Sequence, residues 1–200
     1  GMRHYTSALK SFQKFYDRSK KSERFEVLYL MGKIWEKRGK LRRAIGFYEL
    51  YMKSATTNKQ GVIKAAFEIG SLYEKLKNTK KSLEWYKKTV AIQRRLAKQV
   101  ANIGVRYAAG AKFKLVYQTY IEFRNLRFPR DPKKQGQVLQ KKLNLLNRLK
   151  EELKTVIVYD DAYQVVAALS LQGQALQHMA DSIYNAPVPK NLSPEDLKVY

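Results

Sequence analysis

Residues 25–51 and 63–89 carry the same pattern of small, aromatic and acidic side chains, displaced by 38 positions. The paired positions, first copy before second, are Leu28 and Ala66, Tyr29 and Phe67, Met31 and Ile69, Gly32 and Gly70, Trp35 and Tyr73, Glu36 and Glu74, Ala44 and Ser82, and Tyr48 and Tyr86. In each copy a small residue recurs where two helices must touch, and an aromatic residue follows about one helical turn later. This layout is typical of a helix–turn–helix unit that stacks on copies of itself.

The pattern resembles the tetratricopeptide repeat, in which a large residue is followed by Leu-Gly, then Tyr, then Ala and a second aromatic residue. The matching residues are Leu28, Met31, Gly32, Trp35, Gly39, Ala44, Tyr48 and Tyr51 in the first copy, and Ala66, Ile69, Gly70, Tyr73, Ser82, Tyr86 and Thr89 in the second. That family has a period of about 34 residues, so the longer displacement predicts longer helices or a longer linker. The resemblance implies a right-handed superhelical array of antiparallel helix pairs, an α-solenoid that binds other proteins. Residues 185–200 also resemble segments of large repeat proteins from gliding and predatory proteobacteria.

The other segments predict further helices, so the whole chain is interpreted as one all-α array over residues 1–200. In chain order, the predicted parts are a partial repeat over 2–20, full repeats over 24–55 and 61–97, an enlarged atypical pair over 100–159 whose first helix covers 100–128, a repeat-like helix over 161–185, and a Pro-rich turn with a truncated helix over 186–200. Because residues 2–20 resemble a second helix without its first, we expect an internal piece of a longer array. Apolar surface at its ends would then favour self-association.

Particular residues mark the predicted helix ends. Gly39 suits the left-handed position that ends a helix, and Ser22, Thr79, Asp131 and Asp161 are candidate N-caps. Between residues 131 and 159, an apolar stripe at three-to-four spacing predicts one long helix of about 40 Å. The members of the stripe are Leu139, Leu143, Leu146, Leu149, Leu153 and Val156.

The positive charge is concentrated in the first two-thirds of the chain. Residues 1–130 hold 31 Lys and Arg against 9 Asp and Glu, a net charge of +22, whereas residues 131–200 hold 9 against 8, a net charge of +1. Such a field favours anionic partners, which include acidic protein segments, nucleic acid and an anionic envelope or lipid surface. A general role of the charge in solubility is the alternative interpretation.

Composition and spacing argue against several classes of site. The chain has no Cys, which excludes disulfides and thiolate metal sites. Its two His, at positions 4 and 178, make no metal-ligand cluster, and Gly104 and Gly110 are isolated within a predicted helix rather than part of a phosphate-binding loop. No cofactor is therefore predicted.

Catalysis is also not predicted. His178, Asp181 and Ser182 share one helix face, but a catalytic triad needs side chains that converge, so polarity of a helix surface is the better interpretation. Asp160 and Asp161 are explained as helix caps rather than as an acid/base pair.

The resemblance implies a groove lined by the first helices of successive repeats. The positions that carry over are Tyr29, Lys33, Glu36, Lys64, Phe67, Ser71 and Glu74. Lys33 and Lys64 would pair with carboxylates of an extended acidic segment, while Tyr29 and Phe67 would supply buried area. One subtype of the family binds a C-terminal carboxylate through Lys and Asn, and Lys33 and Ser71 at the Asn positions argue against that subtype. The alternative is that these residues are only the exposed sides of packed helices.

These observations predict a non-enzymatic scaffold for protein–protein interaction in a bacterial assembly, in the cytoplasm or at the envelope. The alternative function is sequence-indifferent binding of a polyanion, either nucleic acid or an anionic envelope, through the basic segments. No groove-reading or RNA-binding signature accompanies those segments, so any contact with nucleic acid would follow charge alone.

Overall fold

The computed structural model describes residues 2–20, 24–55 and 57–188, together with Glu195. Within these ranges the chain forms eight helices and no strand, which confirms the all-α prediction. The helices are α1 (Met2–Arg18), α2 (Arg24–Lys37), α3 (Leu41–Ser54), α4 (Lys59–Lys75), α5 (Thr79–Ala97), α6 (Val105–Asn125), α7 (Pro132–Ile157) and α8 (Ala162–Tyr184). No helix in the described ranges combines the length and apolar character that crossing a membrane requires.

Helices that follow one another along the chain pack together as neighbours. Helix α1 packs on α2, α2 pairs with α3, α3 packs on α4, α4 pairs with α5, and α7 pairs with α8. The chain divides into two compact units, Gly1–Lys112 (the N-terminal unit) and Phe113–Tyr200 (the C-terminal unit). The two copies of the repeat both lie in the N-terminal unit. The described helix ends of these copies fall within a few residues of the predicted ones.

The repeated glycines lie where the two helices of each pair are in contact. A Cβ added to Gly32 would lie 2.7 Å from the ring of Tyr48, and one added to Gly70 would lie 2.8 Å from the ring of Tyr86. Both tyrosine side chains are buried. The prediction that the small residue of each copy marks a helix contact is therefore confirmed, because no larger side chain fits there without displacing a buried ring.

The same two tyrosines make equivalent hydrogen bonds in the two copies. Tyr48 donates its hydroxyl proton to Glu36 at 3.3 Å, and Tyr86 donates its own to Glu74 at 2.7 Å. In the second copy Ser82 also donates to the carbonyl of Gly70 at 2.9 Å. The acidic residue that recurs in the sequence thus satisfies the buried hydroxyl of the second aromatic residue of each pair.

Most predicted caps occur as expected, and one is displaced by a residue. Asp131 accepts from the backbone N–H of Lys133, and Asp161 from that of Gln164, at the starts of α7 and α8. Gly39 has a φ of +71°. Helix α5 is capped by Asn78 rather than by Thr79, since the Asn78 side chain accepts from the backbone N–H of residue 81 at 3.1 Å. Ser22 lies outside the described residues. The helix start predicted beyond residue 189 also lies outside them, apart from the single residue Glu195.

Helix α6 is shorter than predicted at both ends. The sequence predicted a helix over 100–128, but α6 begins at Val105 because Asn102 and Gly104 have φ values of +57° and +61°. Gly104 also packs against Ile63, whose Cδ1 would lie 2.6 Å from an added Cβ. This position therefore requires glycine for both conformation and space, and Gly104 precedes the helix instead of lying inside it.

The core of the C-terminal unit joins α6, α7 and α8. Its buried members are Val116, Tyr120, Phe123, Leu149, Leu153, Val156, Ala168, Leu171, Ala175 and Met179. The predicted α7 stripe is correct at Leu149, Leu153 and Val156 but not at Leu143, which is 39% exposed. Lys142 occupies the core-facing position instead and is fully buried. Its place seven residues before Leu149 continues the spacing of the buried face.

Candidate functional site

Ion pairs join the predicted groove faces of α2 and α4. Lys33 Nζ donates to Glu68 at 3.1 Å, and Lys75 Nζ donates to Glu36 at 2.9 Å, so each pair links one helix to the other. Lys33 also contacts Glu36 at 3.4 Å. Burial lowers the pKa of Lys33, but the carboxylates of Glu68 and Glu36 outweigh burial and raise it above its ordinary value. Lys33 is thus charged and balanced by two carboxylates of its own chain.

Aromatic rings pack together around Tyr29, on the same helix as Lys33. Tyr29 lies with its ring centroid 5.3 Å from that of Tyr48 and 5.2 Å from that of Tyr51, and Lys64 Nζ lies 5.0 Å above the Tyr29 ring. The Tyr29 hydroxyl is buried and has no hydrogen-bond partner among the described residues. Burial, followed by the carboxylate of Glu68, raises the pKa of this hydroxyl above its ordinary value. Tyr29 therefore contributes a neutral aromatic face under the Lys64 ammonium.

The second copy supplies the remaining predicted residues. Phe67 lies 5.6 Å from Tyr86 and 6.0 Å from Tyr107 between ring centroids. Ser71 is half-buried on α4, and Tyr86 donates its hydroxyl proton to Glu74 at 2.7 Å. We call the surface formed by Tyr29, Lys33, Lys64, Phe67 and Ser71 the α2–α4 surface. It presents half-buried aromatic and cationic groups held by contacts within the chain, which suits binding more than chemistry.

A second cluster, which the sequence did not predict, lies in the C-terminal unit around Lys142. The ammonium of this fully buried side chain lies 3.3 Å from the carbonyl oxygen of Phe123, 3.3 Å from His178 Nε2 and 3.3 Å from Ser182 Oγ. It also lies 4.5 Å from the centroid of the Phe123 ring. Burial lowers the pKa of Lys142. The one signal in the sequence was a lysine in register with the apolar stripe of α7.

The three polar residues predicted to share a face of α8 do not converge as a triad. His178 and Ser182 are half-buried against Lys142, whereas Asp181 is exposed and accepts from Gln177 at 2.8 Å. Ser182 donates to the carbonyl oxygen of His178 at 2.6 Å. The interpretation as ordinary surface polarity therefore holds for Asp181 and is wrong for His178 and Ser182.

Beside this cluster is a cavity of about 550 Å³ in the C-terminal unit. It is lined by Arg124, Asn125, Leu126, Arg127, Phe128, His178, Ser182, Asn185 and Pro187. The lining combines two guanidinium groups with an apolar wall of Leu126, Phe128 and Pro187. No Asp, Glu, His or Cys grouping in the described part of the chain could hold a metal ion.

The environment of His178 predicts a pH dependence of stability. Burial lowers the pKa of His178, the Lys142 and Arg124 charges lower it further, and a hydrogen bond with the backbone of Arg124 and the charge of Asp181 oppose them. The unfolded chain therefore binds a proton that the folded chain resists. We expect the free energy of unfolding to fall as the pH drops from about 7.5 through the ordinary histidine pKa of about 6.5. Urea unfolding at each pH, followed by circular dichroism, measures this.

Two variants distinguish the contribution of His178 to the pH dependence of stability from the contribution of the carboxylates. His178→Gln is expected to flatten the dependence above about pH 5.5. Glu36→Gln is expected to leave the pH dependence of stability unchanged above about pH 5.5. Burial raises the pKa of Glu36, but Lys75 and Lys33 outweigh burial and hold it below its ordinary value. The Glu36 contribution is therefore lost only in more acidic solution. An equal slope in the wild type and in His178→Gln would contradict the prediction.

Comparison with known proteins adds little to this geometry. No protein-family model matches the chain, and no curated protein sequence matches it. Among solved structures, the chain is similar to the crystal structure of BtubC (BKLC) from P. vanneervenii, with a TM-score of 0.43 and 16% identity over 94% of this chain and 76% of that one. A similarity this distant carries no argument about fold or function.

Proposed function

We propose that this protein is a non-enzymatic scaffold that binds a segment of a partner protein on the α2–α4 surface. In this proposal the helix pairs stack as a right-handed superhelical array of the tetratricopeptide type, and the α2–α4 surface is part of its concave face. The observation that carries the proposal is the pair of ion pairs, Lys33 with Glu68 and Lys75 with Glu36, that joins equivalent faces of α2 and α4.

The fixed position of these groups supports binding because a preorganised surface loses little conformational entropy when a partner arrives. Tyr29 and Phe67 offer half-buried aromatic area, which contributes strongly at protein interfaces. Since Lys33 and Lys75 are already paired with Glu68 and Glu36, recognition of an acidic group falls to Lys64, whose ammonium lies over the Tyr29 ring. The partner segment that fits best is apolar or aromatic with an acidic residue beside it.

Reversing the charge of Lys64 is expected to abolish this binding. We expect proteins captured from an extract of the native cell by the immobilised full chain to be lost from Lys64→Glu, with affinity reduced at least about tenfold. The matched control is Lys87→Glu, which makes the same charge change on the exposed face of α5. Quantitative mass spectrometry of the captured proteins, followed by titration of each purified partner, gives the comparison.

A partner that is lost equally from both variants would be responding to net charge rather than to the α2–α4 surface. A partner bound equally well by the wild type and by Lys64→Glu would contradict the proposal. Circular dichroism of both variants shows whether the fold is retained.

The second candidate function is binding of a polyanion, favoured by the charge of the N-terminal unit. Residues 1–112 hold 27 Lys and Arg against 8 Asp and Glu, a net charge of +19. In α5, Lys87, Lys88, Arg94 and Arg95 are exposed. Binding to random-sequence DNA that falls steeply and linearly in log affinity against log salt would favour this function. Equal loss of captured proteins from Lys64→Glu and Lys87→Glu would also favour polyanion binding.

A further inference from the structure

The buried ammonium of Lys142 has an unusual set of neighbours. Its contacts are a backbone carbonyl, an imidazole, a hydroxyl and the face of an aromatic ring, all of them uncharged. Among the described residues, no carboxylate lies within ion-pair distance of it. A buried charge without a counter-ion is costly, and buried lysines are ordinarily paired. This position therefore lacks the negative charge that would normally accompany it.

The cavity beside Lys142 brings further positive charge to the same place. His178 and Ser182, which contact the ammonium, also line the cavity, together with Arg124 in the last turn of α6 and Arg127 just after that helix. None of the described residues that line it is acidic. Two guanidinium groups thus line one concave site, and the Lys142 ammonium lies behind the imidazole and the hydroxyl that also line it. Their combined field attracts an anion to this site.

The number and type of cationic side chains at the cavity indicate which anionic group it would bind best. A guanidinium presents a planar fork of N–H donors that matches two oxygens of a phosphate, and two such forks with a nearby ammonium balance a doubly charged group. A single carboxylate would leave most of the positive charge unbalanced. The cavity volume of about 550 Å³ exceeds that of a phosphate group alone, and Leu126, Phe128 and Pro187 form an apolar wall for the remainder of the ligand.

We propose that this cavity binds a small organic phosphate monoester, with Arg124 and Arg127 holding the phosphate and the buried Lys142 charge supporting it through Ser182 and His178. The phosphate donates no atoms to a reaction in this proposal, which concerns binding alone. The site shares no residue with the α2–α4 surface, so it does not rest on the proposed scaffold function. Its occupancy would bring a negative charge close to the buried ammonium and would stabilise the folded chain.

Titration with phenyl phosphate, followed by ¹H–¹⁵N NMR on the full chain, tests the proposal. We expect saturable shifts confined to residues 124–128, 142 and 178–187, and weaker binding of inorganic phosphate, which lacks a group for the apolar wall. Benzoate, with the same ring and one negative charge, is expected to bind at least about tenfold more weakly. Binding of benzoate as tight as that of phenyl phosphate would overturn the assignment of a phosphate group.

Variants assign the binding to this cavity. Arg127→Gln is expected to weaken phenyl phosphate binding at least about tenfold, and Arg127→Lys less, because lysine keeps the charge without the fork. Lys142→Met, which keeps an unbranched side chain in the core, is expected to weaken it comparably while the chain remains folded. The control Arg148→Gln removes an exposed arginine of α7 that pairs with Glu152, and binding should be unchanged. Binding insensitive to both Arg127→Gln and Lys142→Met, or equally sensitive to Arg148→Gln, would overturn the proposal.

Discussion

Replacing Gly70 by leucine is expected to lower the free energy of unfolding by about 1–3 kcal/mol. Even the first carbon of the new side chain would lie 2.8 Å from the ring of Tyr86, which is buried and donates its hydroxyl proton to Glu74. The ring cannot move aside without losing that hydrogen bond and its packing against Phe67. Urea unfolding measures the change through tryptophan fluorescence, since Trp35 and Trp85, the only two tryptophans, both lie in the N-terminal unit.

A second glycine provides the control for this substitution. Gly46 lies inside α3, and a Cβ added there would meet nothing within 4 Å. Gly46→Ala is therefore expected to raise stability by about 0.5–1 kcal/mol, because glycine weakens a helix interior. Gly70→Ala should raise stability less than Gly46→Ala, or lower it, because the clash with Tyr86 opposes the same gain in helix propensity. Equal effects of the two alanine substitutions, or an unchanged midpoint for Gly70→Leu, would remove the physical basis of the repeat assignment.

Replacing Phe123 by alanine is expected to cost the C-terminal unit about 3–5 kcal/mol. Phe123 is fully buried in the core formed by α6, α7 and α8, and its ring makes an edge contact with His178 at 5.5 Å between centroids. Its face also lies 4.5 Å from the Lys142 ammonium. The substitution removes a large apolar side chain and one of the few groups that stabilise the buried charge.

Far-UV circular dichroism during urea unfolding measures the loss, and amide hydrogen exchange in α7 and α8 localises it. Tyr163→Ala is the control, because Tyr163 lies on α8 with 75% of its surface exposed and its truncation should change stability by no more than about 0.5 kcal/mol. A loss below about 1 kcal/mol for Phe123→Ala, or one equal to that of Tyr163→Ala, would contradict the packing described for this unit.

Features that depend on residues close in sequence were the most predictable. The repeat spacing predicted α2 to α5, the close contacts at Gly32 and Gly70, and the turn at Gly39, and the acidic caps predicted the starts of α7 and α8. Each of these follows from helical periodicity or from backbone hydrogen bonds within one turn. The cap of α5 was misplaced by one residue because Asn78 and Thr79 are both good caps and only the backbone conformation distinguishes them.

Features that depend on distant residues were missed or misassigned. The start of α6 is displaced by Gly104, whose close contact is Ile63 on α4. The predicted role of Lys33 as a ligand for a partner's carboxylate overlooked Glu68, which lies 35 residues away in sequence and holds it. Leu143 was predicted to belong to the buried stripe of α7 because hydrophobicity favours leucine for the core, whereas Lys142 takes the buried position.

The sequence by itself determined that the chain is helical, where its repeated pairs lie, and that nearly all of its net charge belongs to residues 1–130, since these depend on composition and on spacing within a few turns. Only the tertiary structure decided which charges are balanced within the chain and which lie without a counter-ion. Lys33 is joined to Glu68 across two helices, and Lys142 is buried against Ser182, 40 residues away, with no carboxylate beside it among the described residues. Such distinctions arise from the docking of one helix on another, because the free energy of a charge depends on its burial and on its nearest opposite charge, and neither is a property of local sequence.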